Sequence, residues 1–438
     1  MMKQEPLKRR RPAARKRGRT QTLWAVVLSV LAVSVIALCL GIWTKLPGED
    51  VPVGGIEPPE GAVSPAPASS IVPSELDPEP QPVVETIRFS ATGDNLIHSP
   101  IYNQAARRAG ETGKYSFDYC YEHIAPFYAE QDVNWINQET LCSDTLAPST
   151  YPSFSTPGDC ARALYRAGVR VFSLSNNHTY DKGASGIAAT LQFWESMPED
   201  VVTTGLWCGE EDYDRIPLQT VNDVKIAYLS YTEHTNGIRQ NKNMTANVIY
   251  TSQTDVIEWQ VRLARQQADF VVVGVHWGVE DSHAIVDSQR TLAQNLADWG
   301  ADVIVGTHPH VLQDAQWLTA ADGRRSFVAF SLGNFLSTQS RPDQLVGAIL
   351  TLQLQKTTQP NGSVQCEVLS PQLHPTVTHY DAGKSNVRTY LLRDYTQELA
   401  AAHGVRANYS DFSLDRIQKI AQNNISASFL SQDNISTT

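Results

Sequence analysis

The sequence predicts an α/β head preceded by one transmembrane helix, and three observations carry that expectation. Short apolar, β-branched runs recur along residues 86–331 and alternate with amphipathic stretches of helical period, the pattern of sheets covered by helices. An uncharged apolar run, Leu23 to Trp43, lies near the N-terminus. The residues that follow the predicted strands include carboxylates, asparagines and histidines in repeated positions.

The chain has 438 residues, 42% of them hydrophobic. That excludes a small disulfide scaffold, a collagen-like fibre and a wholly disordered chain. The formal net charge is −11, but it is unevenly spread. Residues 1–19 carry nine Lys and Arg against the single acid Glu5, a net of +8, so the remainder sums to −19. The acidic bulk has no basic surplus with which to neutralise a phosphate backbone, so nucleic acid is not an expected partner.

At about 1.5 Å per residue, Leu23 to Trp43 spans roughly the thickness of a hydrocarbon core. Trp24 and Trp43 stand near its two ends, where amphipathic rings favour the interface. The basic run precedes it, which sets residues 1–22 in the cytoplasm and the main domain outside the cell membrane. The run is long for a signal peptide and no small-x-small cleavage pattern follows it, so it reads as an uncleaved anchor. Ten of the 24 prolines fall in residues 46–85; this composition buries no core and makes an extended stalk. The expected organisation is a basic tail (1–22), a transmembrane helix (23–43), a Pro-rich linker (46–85), a head domain (86–400), and a C-terminal helix with a disordered tail (401–438). Five cysteines fall in the head, none in CxxC spacing, which leaves room for one disulfide and gives no zinc-thiolate motif.

Within the head, residues 86–91, 169–174, 224–230, 270–275, 302–305 and 326–331 read as strands, most of them buried. Helical spacing marks 183–195 (Ile187, Leu191, Trp194), 252–268 (Val256, Trp259, Leu263) and 288–299 (Leu292, Leu296, Trp299). Residues 346–355 and 363–369 alternate around Pro360-Asn361-Gly362 and read as a hairpin appended to the domain. Residues 410–423 read as a last helix capped by Ser410 or Asp411.

The chemistry lies at the strand ends, where open α/β sheets form their sites. The first strand runs into Gly93-Asp94-Asn95, and Asn137-Gln138-Glu139 comes next. Later ends carry Asn176-Asn177-His178 with Asp181, then His276-Trp277-Gly278, His308-Pro309-His310 and Gly333-Asn334-Phe335. Any one of these is ordinarily a turn, a helix cap or a structural histidine; the conjunction is what points to a metal site. Pro309 disfavours a helix, so His308 and His310 are expected on an extended loop facing neighbouring ions. Neutral imidazoles with carboxylate oxygen suit Mn²⁺, Zn²⁺ or Fe²⁺. Two such ions, bridged by a carboxylate such as Glu139, would activate water, with an unligated acid or His as proton donor.

These motifs, in this order over roughly Thr86 to Leu336, resemble the CapA family of bacterial poly-γ-glutamate capsule biosynthesis proteins, within the calcineurin-like metallophosphoesterases. The stretches that carry the resemblance are Gly93-Asp94-Asn95-Leu96-Ile97-His98, Asn137-Gln138-Glu139, Leu174–Gly183, His276-Trp277-Gly278-Val279-Glu280, Gly306–His310 and Ser331–Phe335. The resemblance implies a four-layer α/β/β/α metallophosphatase-like sandwich. It implies two divalent transition metals: Asp94 and His310 on the first, Asn177, His276 and His308 on the second, and Glu139 bridging. It makes His178 the proton donor, paired with Asp181. Two departures stand out. Leu96 occupies the His position of the superfamily's Asp-x-His, with His98 as a candidate substitute. Asp281 stands where the family has an aromatic residue. Further candidates are Asn95, Asn334, Glu280 as a partner of a ligand histidine, and Glu233 and Asn236 in Tyr231–Gly237, a segment resembling another family stretch.

The function implied is a metal-dependent hydrolase or transferase acting on an anionic polymer such as poly-γ-glutamate or another envelope polymer. The alternatives are a non-catalytic membrane subunit of a capsule synthesis or export complex, or a phosphoesterase. Capsule-synthesis membrane subunits are the expected protein partners, and one helix makes the membrane contact.

Overall fold

A computed structural model describes residues 81–431. The expected basic tail, transmembrane helix and most of the linker lie outside the described residues, as do the last seven residues. Among the described residues no helix is long and apolar enough to cross a membrane. The chain divides into two units, 1–77 and 78–438, and the second contains all of the described elements.

The fold is mixed α/β, built on two large sheets. The first has the strand order Ser385–Leu391, Val364–Asp381, Val346–Thr358, Val83–Asn95, Val133–Asn137, Val171–Ser173, Val202–Thr204, with Asn334–Leu336 paired beside the end of Val83–Asn95. The second runs Leu312–Thr319, Arg325–Leu332, Val303–Thr307, Phe270–His276, Val224–Thr232, Leu218–Val221. In both sheets the central neighbours are parallel, as the uninterrupted apolar runs require.

The strand Phe270–His276 explains the layering. Phe270 and Val272 belong to the core that also holds Phe89 and Trp135 of the first sheet. Val271, Val273 and Val275 belong to a second core, shared with Ile257 and Val261 of helix Thr254–Gln267 and Leu292 and Leu296 of helix Asp287–Trp299. Alternation of side chains thus gives one face to the partner sheet and the other to helices. A direct bond crosses between the sheets where Ser173 Oγ meets Ser230 Oγ at 2.5 Å. Gly274 makes room for the Trp135 indole, since a Cβ there would lie 2.7 Å from the ring. On the first sheet, Thr92 and Asn134 bond to Tyr128 of the short helix Ala125–Ala129.

Several expectations need correction. Helix Thr254–Gln267 buries Ile257, Gln260, Val261 and Ala264; Trp259 is 47% exposed, because the stripe facing the sheet is rotated by one position from the one the large residues suggest. Ile257 and Val261 on that stripe each contribute about 1.5–3 kcal/mol by leaving water. The hairpin is no appendage. Val346–Thr358 pairs antiparallel with Val83–Asn95 along ten positions, and Val364–Asp381 continues the same sheet. The last helix is Leu414–Asn424, capped by the Ser413 side chain on the Arg416 amide rather than by Ser410 or Asp411. The chain after it packs back as far as Ser431, with Leu430 bridged to Leu373 and Ser426 bonded to Asp314. All five described cysteines are free thiols.

Candidate metal centre

The parallel strands end on one edge, and their register sets the site. Asp94 lies opposite Asn137, Asn137 opposite Ser173, and His276 opposite Thr307. Gly93 lets the chain reach this edge: a Cβ there would sit 1.9 Å from the Gly333 carbonyl oxygen, and the Asp94 amide donates to that oxygen.

Asp94, Glu139 and His310 each offer a ligand atom within 4.8 Å of the others, and all three are buried. His310 Nδ1 lies 3.1 Å from Asp94 Oδ2, and the His308 amide donates to the same oxygen at 3.3 Å. Asn177, His276 and His308 gather beside them. His276 Nε2 is 3.1 Å from Asn177 Oδ1 and 3.1 Å from His308 Nδ1. Glu139 joins the two groups, with Oε1 at 3.7 Å from both His276 Nε2 and His310 Nε2. At that distance no hydrogen bond is made, and both carboxylate oxygens of Glu139 are buried without a hydrogen-bond partner. A buried carboxylate left this way costs several kcal/mol, by order of magnitude, unless a cation meets it.

The titration behaviour expresses the same imbalance. Burial pushes the Glu139 carboxyl well above the usual range, and the Asp94 charge adds to it. Burial alone would lower His310, but the Glu139 charge and the Asp94 hydrogen bond raise it. Burial, then the neighbouring histidines, drive His276 far down, and His308 is pushed to about 2. His276 and His308 are therefore neutral, the form that donates a lone pair to a metal. His276 Nδ1 lies 3.0 Å from the Thr307 hydroxyl, which orients the ring with Nε2 toward the cluster.

His308-Pro309-His310 is not extended. His308 has φ 98° and His310 φ 60°, conformations that cost a non-glycine residue about 1–3 kcal/mol each and persist where the surroundings hold them. The bent chain turns both rings inward. They are buried, with centroids 6.0 Å apart.

His178 Nδ1 is 2.8 Å from Asp181 Oδ2, and that oxygen also accepts the Phe154 amide at 2.7 Å. The carboxylate fixes the proton on Nδ1 and leaves Nε2 as the atom that can exchange one. The Phe154 ring packs edge-on against His178 at 4.7 Å and against His98 at 5.3 Å.

The remaining candidates separate clearly. His98 is outside the Asp94, Glu139, His310 cluster. Its Nδ1 accepts the Thr338 amide at 3.4 Å, and burial lowers it to about 4. Leu96 is buried in the position the histidine would take. Asn95 is turned away into a network with Gln138, Tyr121 and Cys160. Asn334 pairs its backbone with Asp94 while its side chain bonds Gln339 and Gln344. Glu280 is exposed and bonds no site histidine among the described residues. Asp281, with φ 62°, is held by Arg341 and Gln344. Glu233 accepts the Gly278 amide, and Asn236 Nδ2 lies 3.4 Å from His178 Nδ1.

Sequence reasoning passes over three contributors. Asn137, part of a motif but without a role of its own there, donates to Asp94 Oδ1 at 2.7 Å and lies 3.4 Å from His276 Nδ1. Phe154 has no signal beyond being an aromatic in a loop. His234, inside the Tyr231–Gly237 segment, sets its ring edge-on to His308 at 5.0 Å.

Comparisons with known proteins point to the family that the motifs resemble. The PGA biosynthesis protein CapA of Bacillus subtilis (strain 168) is 26% identical over 307 residues, covering 69% of this chain and 78% of that protein. The capsule biosynthesis protein CapA of Bacillus anthracis is 31% identical over 236 residues, 52% of this chain and 55% of that one. Among solved structures, Haemophilus influenzae NAD nucleotidase (NadN) aligns with a TM-score of 0.40 at 14% identity, covering 81% of this chain and 65% of that chain. A putative 5'-nucleotidase from Staphylococcus aureus aligns at 0.38 and 13%, covering 65% and 54%. The family model described as bacterial capsule synthesis protein PGA_cap matches residues 88–339, more than half of the chain, and the chain belongs to that family.

Proposed function

We propose that this chain is a membrane-anchored, extracytoplasmic, metal-dependent hydrolase or transferase of cell-envelope polymer synthesis, acting on poly-γ-glutamate or a related anionic polymer. The observation that carries the reading is Glu139, a buried carboxylate with no hydrogen-bond partner, between Asp94 and His310 on one side and His276 on the other. That donor set fits two divalent transition ions, Mn, Zn or Fe. The layer contacts fit a metallophosphatase-like α/β/β/α sandwich with the centre at the sheet edge. The names of the two Bacillus relatives support the polymer and the capsule pathway. The apolar run 23–43 and the Pro-rich residues after it support placement at the cell membrane, beside other capsule-synthesis subunits.

When bound, the ions supply charge neutralisation and an activated water. Asp94, Glu139 and His310 would hold one; Glu139, Asn177, His276 and His308 the other. Asn137 and Thr307 orient Asp94 and His276. His178, held by Asp181 at 2.8 Å, gives a proton to the departing atom from Nε2. The test is His178→Ala: turnover should vanish with fold and metal content retained.

A second reading, a non-catalytic subunit of a synthesis or export complex, rests on Leu96, an aliphatic core residue where the superfamily has a histidine. It predicts that His178→Ala leaves capsule production intact while loss of residues 1–45 abolishes it.

A further inference from the structure

The loop after strand Val224–Thr232 ties together both halves of the centre and also walls a cleft beside it. The Glu233 amide donates to the His276 carbonyl, and the Glu233 carboxylate accepts the Gly278 amide, each at 2.9 Å. His234 rests on His308, and Asn236 reaches His178. The same residues continue into a cleft of about 410 Å³, lined by Glu233, His234, Ile238, Arg239, Gln240 and Tyr250 among others. That size is in the range of small-ligand sites, about 300–1,000 Å³.

The loop is braced. Thr235 Oγ1 bonds the Tyr250 hydroxyl at 2.8 Å and the Ile238 carbonyl at 2.6 Å, the Ile238 amide returns to the Thr235 carbonyl, and Gly237 takes φ 74°. This turn presents Ile238 and Arg239 on the cleft wall, both exposed.

Arg239 keeps its charge free beside the centre of this acidic head. Several other arginines are neutralised in place, Arg162 by Asp144, Arg166 by Asp118, Arg265 by Asp302 and Arg341 by Asp281. Arg239 makes no ion pair, hydrogen bond or ring contact among the described residues. The one carboxylate on the same wall, Glu233, is already engaged by the Gly278 amide. An unpaired guanidinium fork in a cleft next to a metal centre is suited to a bidentate anion.

We propose that this cleft is a substrate subsite and that Arg239 reads an anionic group on the part of the substrate that does not react. The proposal deepens the polymer reading and rests on it: in a poly-γ-glutamate chain that group is the α-carboxylate of the residue next to the reacting bond. Ile238 and Tyr250 would pack on the methylene part of the same residue.

The test uses the full-length, metal-loaded chain in mild detergent, with Arg239→Gln and Arg239→Lys. Three probes are titrated by calorimetry at low and high salt: a γ-linked glutamate hexamer, its carboxamide counterpart, and a glycerol-phosphate oligomer. Arg239→Gln should weaken the glutamate hexamer about tenfold or more, Arg239→Lys less, and neither should change the carboxamide hexamer. Hexamer affinity equal in wild type and Arg239→Gln overturns the subsite. Loss confined to the phosphate oligomer overturns the carboxylate assignment, and no binding of either anion to metal-loaded wild type overturns the subsite altogether. Metal content measured on the same samples separates failure of the subsite from failure of the metal centre, because Arg239→Gln leaves every proposed ligand in place.

Discussion

His310 Nδ1 lies 3.1 Å from Asp94 Oδ2, although 216 residues separate them in the chain. The contact joins the end of the first strand of one sheet to the loop beyond a strand of the other. It exists because both strands stop at the same edge, and because the left-handed backbone at His310 turns the ring inward. Around it the centre holds two carboxylates, and only one of them, Asp94, is satisfied by protein donors.

That imbalance gives a reversal of sign on metal removal. In chelator, Glu139→Gln should be more stable than wild type by about 1–3 kcal/mol, since a buried carboxyl that finds no hydrogen-bond donor, and whose ionisation burial and Asp94 both oppose, is gone. With Mn²⁺ or Zn²⁺ added, wild type should gain and overtake the variant. Paired thermal melts check this; an unchanged order in both conditions goes against it.

The proton donor should be separable from the ligands. His178→Asn is expected to lower kcat by about 10²–10⁴-fold with metal content unchanged. Asp181→Asn should lower it less and also loosen the loop that Asp181 holds through the Phe154 amide. The pair of kcat and elemental measurements decides it.

Gly93 should tolerate no side chain. An added Cβ would lie 1.9 Å from the Gly333 carbonyl oxygen, backbone that cannot swing aside. Gly93→Ala should cost about 3 kcal/mol, read as a shift in the urea midpoint. Gly362→Ala is an informative contrast: its Cβ would have open space, so only the positive φ of a hairpin turn is at stake.

Stability should fall on the acid side through His403. Its Nε2–H donates to the Thr378 carbonyl and its Nδ1 accepts the Val405 amide, so the ring is held neutral. Burial lowers it to about 4; Thr378 works the other way, and the facing groups are His379, Tyr380 and Asp381. A depressed folded value means the unfolded chain takes up the proton first. The contribution is complete above about pH 6.5, is lost as pH falls toward 4, and amounts to about 3 kcal/mol. His403→Gln should flatten urea-denaturation stability over that window.

The centre is legible in the sequence because strand ends carry its residues in order: Asp94, Glu139, Asn177, His276, His308 and His310 converge as their placement suggests. Helix 183–195 and the buried parallel strands are legible for the same reason, since local period and burial agree. What is hidden depends on distant partners. Nothing near Val346 announces that it belongs to a strand paired with one over 250 residues earlier, so the hairpin looks separate. Trp259 looks like a core residue until the sheet selects a different stripe of its helix. The extended reading of His308-Pro309-His310 follows proline's local preference, and the tertiary setting overrides it. Asn95 follows Asp94 in sequence and Asn334 pairs with Asp94 across the strands, yet their side chains bond elsewhere.

The most direct test of the metal centre is elemental analysis of the purified protein after metal loading and desalting, beside Glu139→Ala and His308→Ala. A centre bridged by Glu139 predicts close to two transition ions per chain, as bridged sites of this kind hold, with clear loss in both variants. Close to zero ions in the loaded wild-type protein would contradict it.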